Sequence, residues 1–351
     1  MDGYLQNEPD PPPGSDFLAA HKIANKTGPK TANASTFSMA LEKVEAFVVE
    51  TFSQEIEQQQ LYYHDWNHVN DVARRARLIF DTVVSCCHEV DQPPKQSAAI
   101  AWDRQRELLQ LSAIAHDMLQ IFSPQLSPHT PRQRQSGHSE KATIDKLTDF
   151  IEQLNQASVE ASGSSPSQGL SPNALFSSAD VAIIREAIEA TVCQYDPVEG
   201  SIYQPLLYSQ HREQKSLSLV AHCLALADIG TLGIDGLTAY TKEGGLLLME
   251  ENLDILAFLN NKDKFDDTFK ENLRQRLLKR ARFEVSFAKG RLARLDAELQ
   301  GLPKSAITLL KRDVFKHLTP DTIHTIETIT PTAENTSLTE LLDYFQLEDA
   351  L

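Results

Sequence analysis

The sequence predicts an all-α fold, a compact multi-helix bundle, on three observations. Apolar residues recur at helical spacing through most of the chain beyond residue 37. No stretch sustains the alternation of a half-buried strand, and no internal repeat is visible. Hydrophobic residues make up 41% of the 351, enough for a substantial core.

The elements follow in chain order. Residues 1–37 are polar, rich in Pro, Gly, Asn and Thr, and without periodicity, so they are expected to form a disordered tail. From Phe37 to Gln60, the positions Met39, Leu41, Val44, Phe47, Val48 and Phe52 mark the first core helix. Asp65 is a natural N-cap for the next helix, along which His68, Val72, Ala76, Ile79 and Val83 share one face. His64 precedes that helix and is freer to meet a ligand. After Pro93 and Pro94, a helix is expected over Arg104–Phe122, with Leu108, Leu111, Ala115 and Leu119 buried and His116-Asp117 near its end. Ser123–Gly137 holds three prolines and reads as a loop.

His138–Leu154 is helical again, on the line of Ile144, Leu147 and Ile151. Residues 156–178 are Ser-, Gly- and Pro-rich and read as a flexible insertion. Helices are then expected over Asp180–Tyr195, Gln214–Ile229, Leu237–Leu259 and Phe265–Leu299, the last basic in its middle. Pro303–Leu351 reads as shorter helices. The predicted organisation is one helical domain over 38–300 and a C-terminal helical extension over 301–351.

The net charge of -16 repels a polyanionic backbone, so polymeric nucleic acid is excluded as a partner. Small anions remain open, because a bound cation reverses the local field. Cys86, Cys87, Cys193 and Cys223 contain no CxxC pair and form neither a zinc pattern nor a disulfide framework, which suits a reducing cytoplasm. Neither a signal peptide nor a bilayer-length apolar run is visible, so no membrane association is expected.

Two carboxylates stand out. Asp228 lies among Ala221, Leu224 and Ala225, with no Lys or Arg one turn away. Asp117 follows the apolar run Ala113-Ile114-Ala115. A buried carboxylate needs a partner, either a metal or a distant basic side chain. His68, His116, Asp117 and Asp228 on successive helices make a nitrogen and oxygen set suited to one or two divalent ions among Mn, Mg, Fe, Co and Zn.

These residues, His68, then His116-Asp117, then Asp228, resemble the H…HD…D signature of the HD-domain phosphohydrolase superfamily. Within it, Tyr63-His64-Asp65-Trp66-Asn67-His68-Val69-Asn70-Asp71-Val72 is similar to the Y-H-N-x-x-H-A-x-D-V motif of class I cyclic nucleotide phosphodiesterases, with Asp65 for Asn and Val69 for Ala. Ala227-Asp228-Ile229 resembles that family's A-D-L segment. The similarity covers about Leu61 to Glu251. It implies that His68, His116, Asp117 and Asp228 bind the first metal, that Asp117 bridges to a second, and that His64 is the general acid. The activity implied is hydrolysis of a cyclic nucleotide-like phosphodiester.

The chain departs from that family after Asp117, where Met118-Leu119-Gln120-Ile121-Phe122 replaces a second histidine, proline and glycine. The family's purine-reading glutamine also has no counterpart, since neither Gln275 nor Gln300 has matching surroundings. The chemistry therefore transfers better than the nucleotide specificity. His138-Ser139-Glu140-Lys141-Ala142 resembles the H-x-E-x-[GA] element of other HD families, which makes His138 a candidate for a second metal or for substrate contact, and Glu140 a candidate for orienting water. His222 shares the helix of Asp228 but not its face. Arg185 and Lys215 are further candidates for phosphate contact. The long basic helix is expected to be a solvated face or a homo-oligomer contact.

Three alternatives stand beside a phosphodiesterase. A nucleotide phosphomonoesterase would use the same metals on a small phosphorylated substrate. A non-catalytic HD-fold signalling or scaffold module would have lost its metal. A di-iron oxygenase would recruit further histidines, with His138 the available one.

Overall fold

The computed structural model describes residues 36–87, 96–125, 129–161, 175–208 and 217–347. The chain is all-α, with thirteen α-helices and two small antiparallel ribbons among these residues. Residues 1–35 of the tail expected over 1–37, most of the insertion (162–174) and Lys215 lie outside the described residues, while Thr36 and Phe37 open the first helix and Phe37 is buried in the core.

The first half supplies six helices: α1 (Thr36–Gln59), α2 (Trp66–Cys87), α3 (Gln96–Ala115), α4 (His138–Ala161), α5 (Ser178–Glu189) and α6 (Leu219–Asp228). Asp65 caps α2, its Oδ1 accepting from the backbone N–H of Asn67 (2.9 Å) and His68 (3.0 Å). Helix α5 opens on a capping box, Ser177 with Asp180, and Arg104 of α3 reaches Asp180 Oδ2 at 2.6 Å. Between α3 and α4, β1 (Phe122–Ser123) pairs with β2 (Gln133–Arg134). Between α5 and α6, β3 (Gln194–Asp196) pairs with β4 (Ser201–Tyr203).

The second half begins with α7 (Thr231–Ile234), α8 (Leu237–Glu251) and α9 (Asp254–Asn260). The long α10 (Asp267–Glu298), α11 (Lys304–Leu309), α12 (Pro320–Ile329) and α13 (Leu338–Tyr344) follow. Asp266, Thr319 and Ser337 cap α10, α12 and α13, and Pro320 stands in the first turn of α12, where its missing N–H costs nothing.

Three apolar clusters hold these layers together. The first joins α2 and α6 to α11 and α12 through Val72, Ile79, Leu224, Leu310, Phe315 and Ile326. The second joins α1, α3 and α4 through Val44, Phe52, Leu111, Ile114 and Leu147. The third joins α8, α9, α10 and α13 through Met249, Phe258, Leu277, Leu341 and Phe345. The segment expected as a C-terminal extension is therefore built into two of the three clusters. At Gly233, an added Cβ would come within 2.9 Å of the Phe315 ring, so α7 and the C-terminal segment pack without room for a side chain.

Several boundaries differ from those the sequence predicts, and tertiary contacts explain them. The helix expected over Arg104–Phe122 is α3, which ends at Ala115, where the chain turns and His116 Nδ1 bonds the Ala113 carbonyl at 2.7 Å. Phe122 belongs to β1 and Tyr195 to β3, rather than to helices. The helix expected over Leu237–Leu259 breaks at Asn252, whose Nδ2 donates to Leu248 O while Arg276 donates to its Oδ1. Helix α4 runs to Ala161, into the expected insertion. No helix among the described residues is long and apolar enough to cross a membrane.

Candidate metal centre and active site

Helix α2 delivers His68 on its buried face, its ring 4.4 Å from that of Tyr63, centroid to centroid. The turn after α3 delivers His116 and Asp117, and the last residue of α6 is Asp228. His68, His116 and Asp228 each offer one ligand atom, all within 4.8 Å of one another. Asp117 completes the group, with Oδ2 at 3.2 Å from His68 Nε2 and 3.0 Å from His116 Nε2. Asp228 Oδ1 is 3.7 and 3.6 Å from the same two nitrogens.

The donors fit a cation. His116 Nδ1 is engaged by the Ala113 carbonyl, so it carries the proton and leaves the Nε2 lone pair directed at the carboxylates. That Nε2, and both ring nitrogens of His68, are buried without a hydrogen-bond partner. Orphaned imidazole nitrogens facing two carboxylates are what a divalent ion would satisfy. Asp228 is steadied by Gln204, whose Nε2 donates to Oδ2 at 3.1 Å, and Asp117 by Gln120, whose Nε2 donates to Oδ1 at 3.0 Å.

The electrostatics point the same way. Burial would lower the His68 imidazole, but Asp117 and Asp228 raise it to about 9. Burial would raise the Asp228 carboxyl, but His116 and His68 hold it at about 2. The cluster is negative enough to draw protons onto its imidazoles, the same demand that a divalent cation answers.

His64 lies beside this cluster, with Nε2 3.9 Å from Asp117 Oδ2. Its Nδ1 bonds Glu250 Oε1 at 2.5 Å, and Glu250 Oε2 accepts from the backbone N–H groups of Tyr62, Tyr63 and His64 at 3.0–3.1 Å. Glu250 is fully buried near the end of α8. Burial would raise its carboxyl, yet His64, Arg134 and the backbone donors hold it at about 2. With its proton on Nδ1, His64 turns Nε2 toward the cavity. There Arg134 Nη1 stands 2.8 Å away and also donates to Gln120 Oε1 at 2.8 Å.

The cavity above these groups measures about 630 Å³. Asp117, Asp228 and His64 lie on its wall, and Tyr240, Lys279, Phe283 and Phe287 line it from α8 and α10. Glu140 is on the wall, and burial raises its carboxyl. His138 is exposed at the start of α4 and is not among the lining residues, so the two members of the H-x-E element part company. His222 is buried with Nε2 on the Glu298 carbonyl, away from Asp228. Arg185 donates to Thr148, and Gln275 contacts Glu271 and Glu334, so neither reaches the cavity.

Sequence reasoning missed Glu250, Arg134, Gln120 and Gln204. Glu250 did carry a signal, since it follows Leu246-Leu247-Leu248-Met249 and is a carboxylate in an apolar run, as Asp228 is. Arg134 carried none, being one of two arginines in a proline-rich loop. No family model, curated protein or solved structure matches the chain.

Proposed function

We propose that the protein is a metal-dependent phosphohydrolase of the HD type that cleaves a phosphodiester in a small, cyclic nucleotide-like molecule. The observation that carries this reading is the position of His64. It stands outside the four-residue donor cluster, one buried carboxylate fixes its Nδ1, and its Nε2 faces the cavity beside Asp117. A carboxylate on Nδ1 would orient a metal-ligating ring as well, but His64 lies outside the His68, His116 and Asp228 set, and an oriented imidazole beside that set suits a proton donor to a leaving group.

His68, His116, Asp117 and Asp228 would hold the cation. When bound, a divalent ion supplies positive charge for phosphoryl oxygens and lowers the pKa of coordinated water. The chain's own residues then have separate tasks. Asp117, between the cluster and His64, relates the two in space. Glu250 fixes the ring of His64, which places Nε2 to give a proton to the departing alkoxide. Tyr240, Phe283 and Phe287 offer apolar faces to the rest of the substrate.

The test is turnover of an aryl phosphodiester and of the matching monoester, with added Mn and with chelator, for the wild type and for His64→Ala and Asp117→Ala. Chelator-sensitive diester cleavage that both substitutions abolish is the expected result. Monoester cleavage indifferent to His64 would make the protein a nucleotide phosphomonoesterase instead. No turnover and no bound metal would leave a non-catalytic helical module.

A further inference from the structure

Arg134 stands at the cavity wall without a carboxylate partner among the described residues. Arg132 and Arg134 lie two residues apart, and their roles differ. Arg132 is consumed by the fold, donating through Nε to the Glu250 carbonyl and through its two Nη atoms to the carbonyls of Gln59 and Gln60. Arg134 lies on β2 at the cavity wall, and its three hydrogen bonds, all from Nη1, go to the two ring nitrogens of His64 and to Gln120. It forms no ion pair with a carboxylate among the described residues. By contrast, the buried Arg75 pairs with Asp235 and Glu243, and the buried Arg291 with Glu298. A guanidinium is a planar fork of donors that matches phosphate or carboxylate oxygens two at a time. Holding one over a cavity with only neutral acceptors leaves that fork unfilled.

We propose that Arg134 is an anion receptor of the cavity and that it binds the non-bridging oxygens of the substrate's phosphoryl group. The proposal rests on the phosphohydrolase reading for the identity of the anion, but the receptor itself follows from the geometry alone. Gln120 is the positioning residue. Its side chain spans Asp117 Oδ1 and Arg134 Nη1, so the acidic cluster and the guanidinium are held in one frame. The Arg134–His64 contact has a consequence for binding. Nη1 stands 2.8 Å from Nε2 and 3.2 Å from Nδ1 of the ring. A phosphoryl oxygen entering beside them would accept from the guanidinium, with the His64 ring alongside. The arrangement also fits a chain of net charge -16, since an anion entering past Asp117, Asp228 and Glu140 needs a fixed cation where it comes to rest.

The experiment is titration calorimetry of inorganic phosphate into the full-length protein, in magnesium and again in EDTA. The proteins are wild type, Arg134→Met, Arg134→Lys and Arg282→Met. The last removes the same charge from an exposed residue paired with Glu334, outside the cavity. Thermal melts of each variant check folding. Loss of a forked, charge-assisted contact should weaken phosphate at least tenfold in Arg134→Met. Arg134→Lys, keeping the charge without the fork, should fall between, and Arg282→Met should match wild type. Equal affinity in wild type and folded Arg134→Met would overturn the proposal, as would no phosphate binding by wild type in either buffer. Aryl phosphodiester turnover on the same preparations separates the two readings. Arg134-dependent phosphate binding without turnover keeps the receptor and removes the hydrolase; turnover with binding indifferent to Arg134 does the reverse.

Discussion

Glu250→Gln isolates the group that holds His64. Its carboxyl is held at about 2 in the folded chain against 4.5 when free. That difference amounts to about 3 kcal/mol favouring the charged form in the folded state. The sign follows from the depressed folded value. The contribution is fully present above pH 4.5 and is lost as the pH falls toward 2. Glutamine is nearly isosteric but neutral, and it offers one oxygen where the carboxylate offers two to four donors. Urea unfolding of metal-free wild type and variant, followed by far-UV circular dichroism, reads the gap directly. It should be about 3 kcal/mol at pH 7 and about 2 kcal/mol at pH 3.5. A gap below about 1 kcal/mol at pH 7, or one that stays constant across that range, would refute the reasoning.

Three further outcomes are expected. A divalent ion at a hundred times its dissociation constant should stabilise wild type by about 2.7 kcal/mol, visible as a raised Tm, and His116→Ala should abolish that rise. Asp65→Ala removes the cap of α2 and should cost about 1 kcal/mol in urea unfolding, with metal affinity falling because His68 stands in the first turn. Gly245→Ala would place a Cβ 2.5 Å from the Phe345 carbonyl oxygen, a backbone atom that cannot swing aside. The C-terminal segment should loosen, giving faster proteolysis after α13 than in wild type.

How much of this was legible in the sequence depended on whether a residue's role was local. His68 was legible because helical spacing put it on the face of Val72, Ala76 and Ile79, and all four are buried. Asp65 was legible because N-capping joins residues two or three apart. Asp228 was legible as a carboxylate in an apolar run. Glu250 acts on His64 across 186 residues of chain, and no periodicity encodes such a distance. Arg134 depends on a two-residue ribbon, too short to show an alternation. Helix ends failed for a related reason. Asn252 breaks α8 with Arg276 of α10 as a partner, a tertiary contact, and α3 ends where His116 Nδ1 bonds the Ala113 carbonyl three residues back, so neither end follows the apolar periodicity.

The same contacts explain why the site lies where it does. Val69 belongs to the second apolar cluster and Val72 to the first, so α2 crosses the seam between them, and His68 stands at that seam. Helix α3 crosses it too, with Ala113 in the first cluster and Ala115 in the second, immediately before His116 and Asp117. Asp228 follows Ala227 of the first cluster, and Glu250 follows Met249 of the third. Each polar group is thus adjacent in sequence to a buried apolar one, at a place where two packing surfaces part. A seam of this kind leaves a cavity that no single cluster fills, and it fixes the surrounding backbone from several sides. That rigidity is what four close ligand atoms and an oriented imidazole need, since carboxylates and imidazoles this near one another would spread apart on mobile elements. The third cluster is the least obvious contributor. Its residues adjoin none of the four metal-ligand candidates in sequence, yet Glu250, next to its Met249, aims His64, so α8, α10 and the C-terminal segment are as much part of the site as the motif-bearing helices.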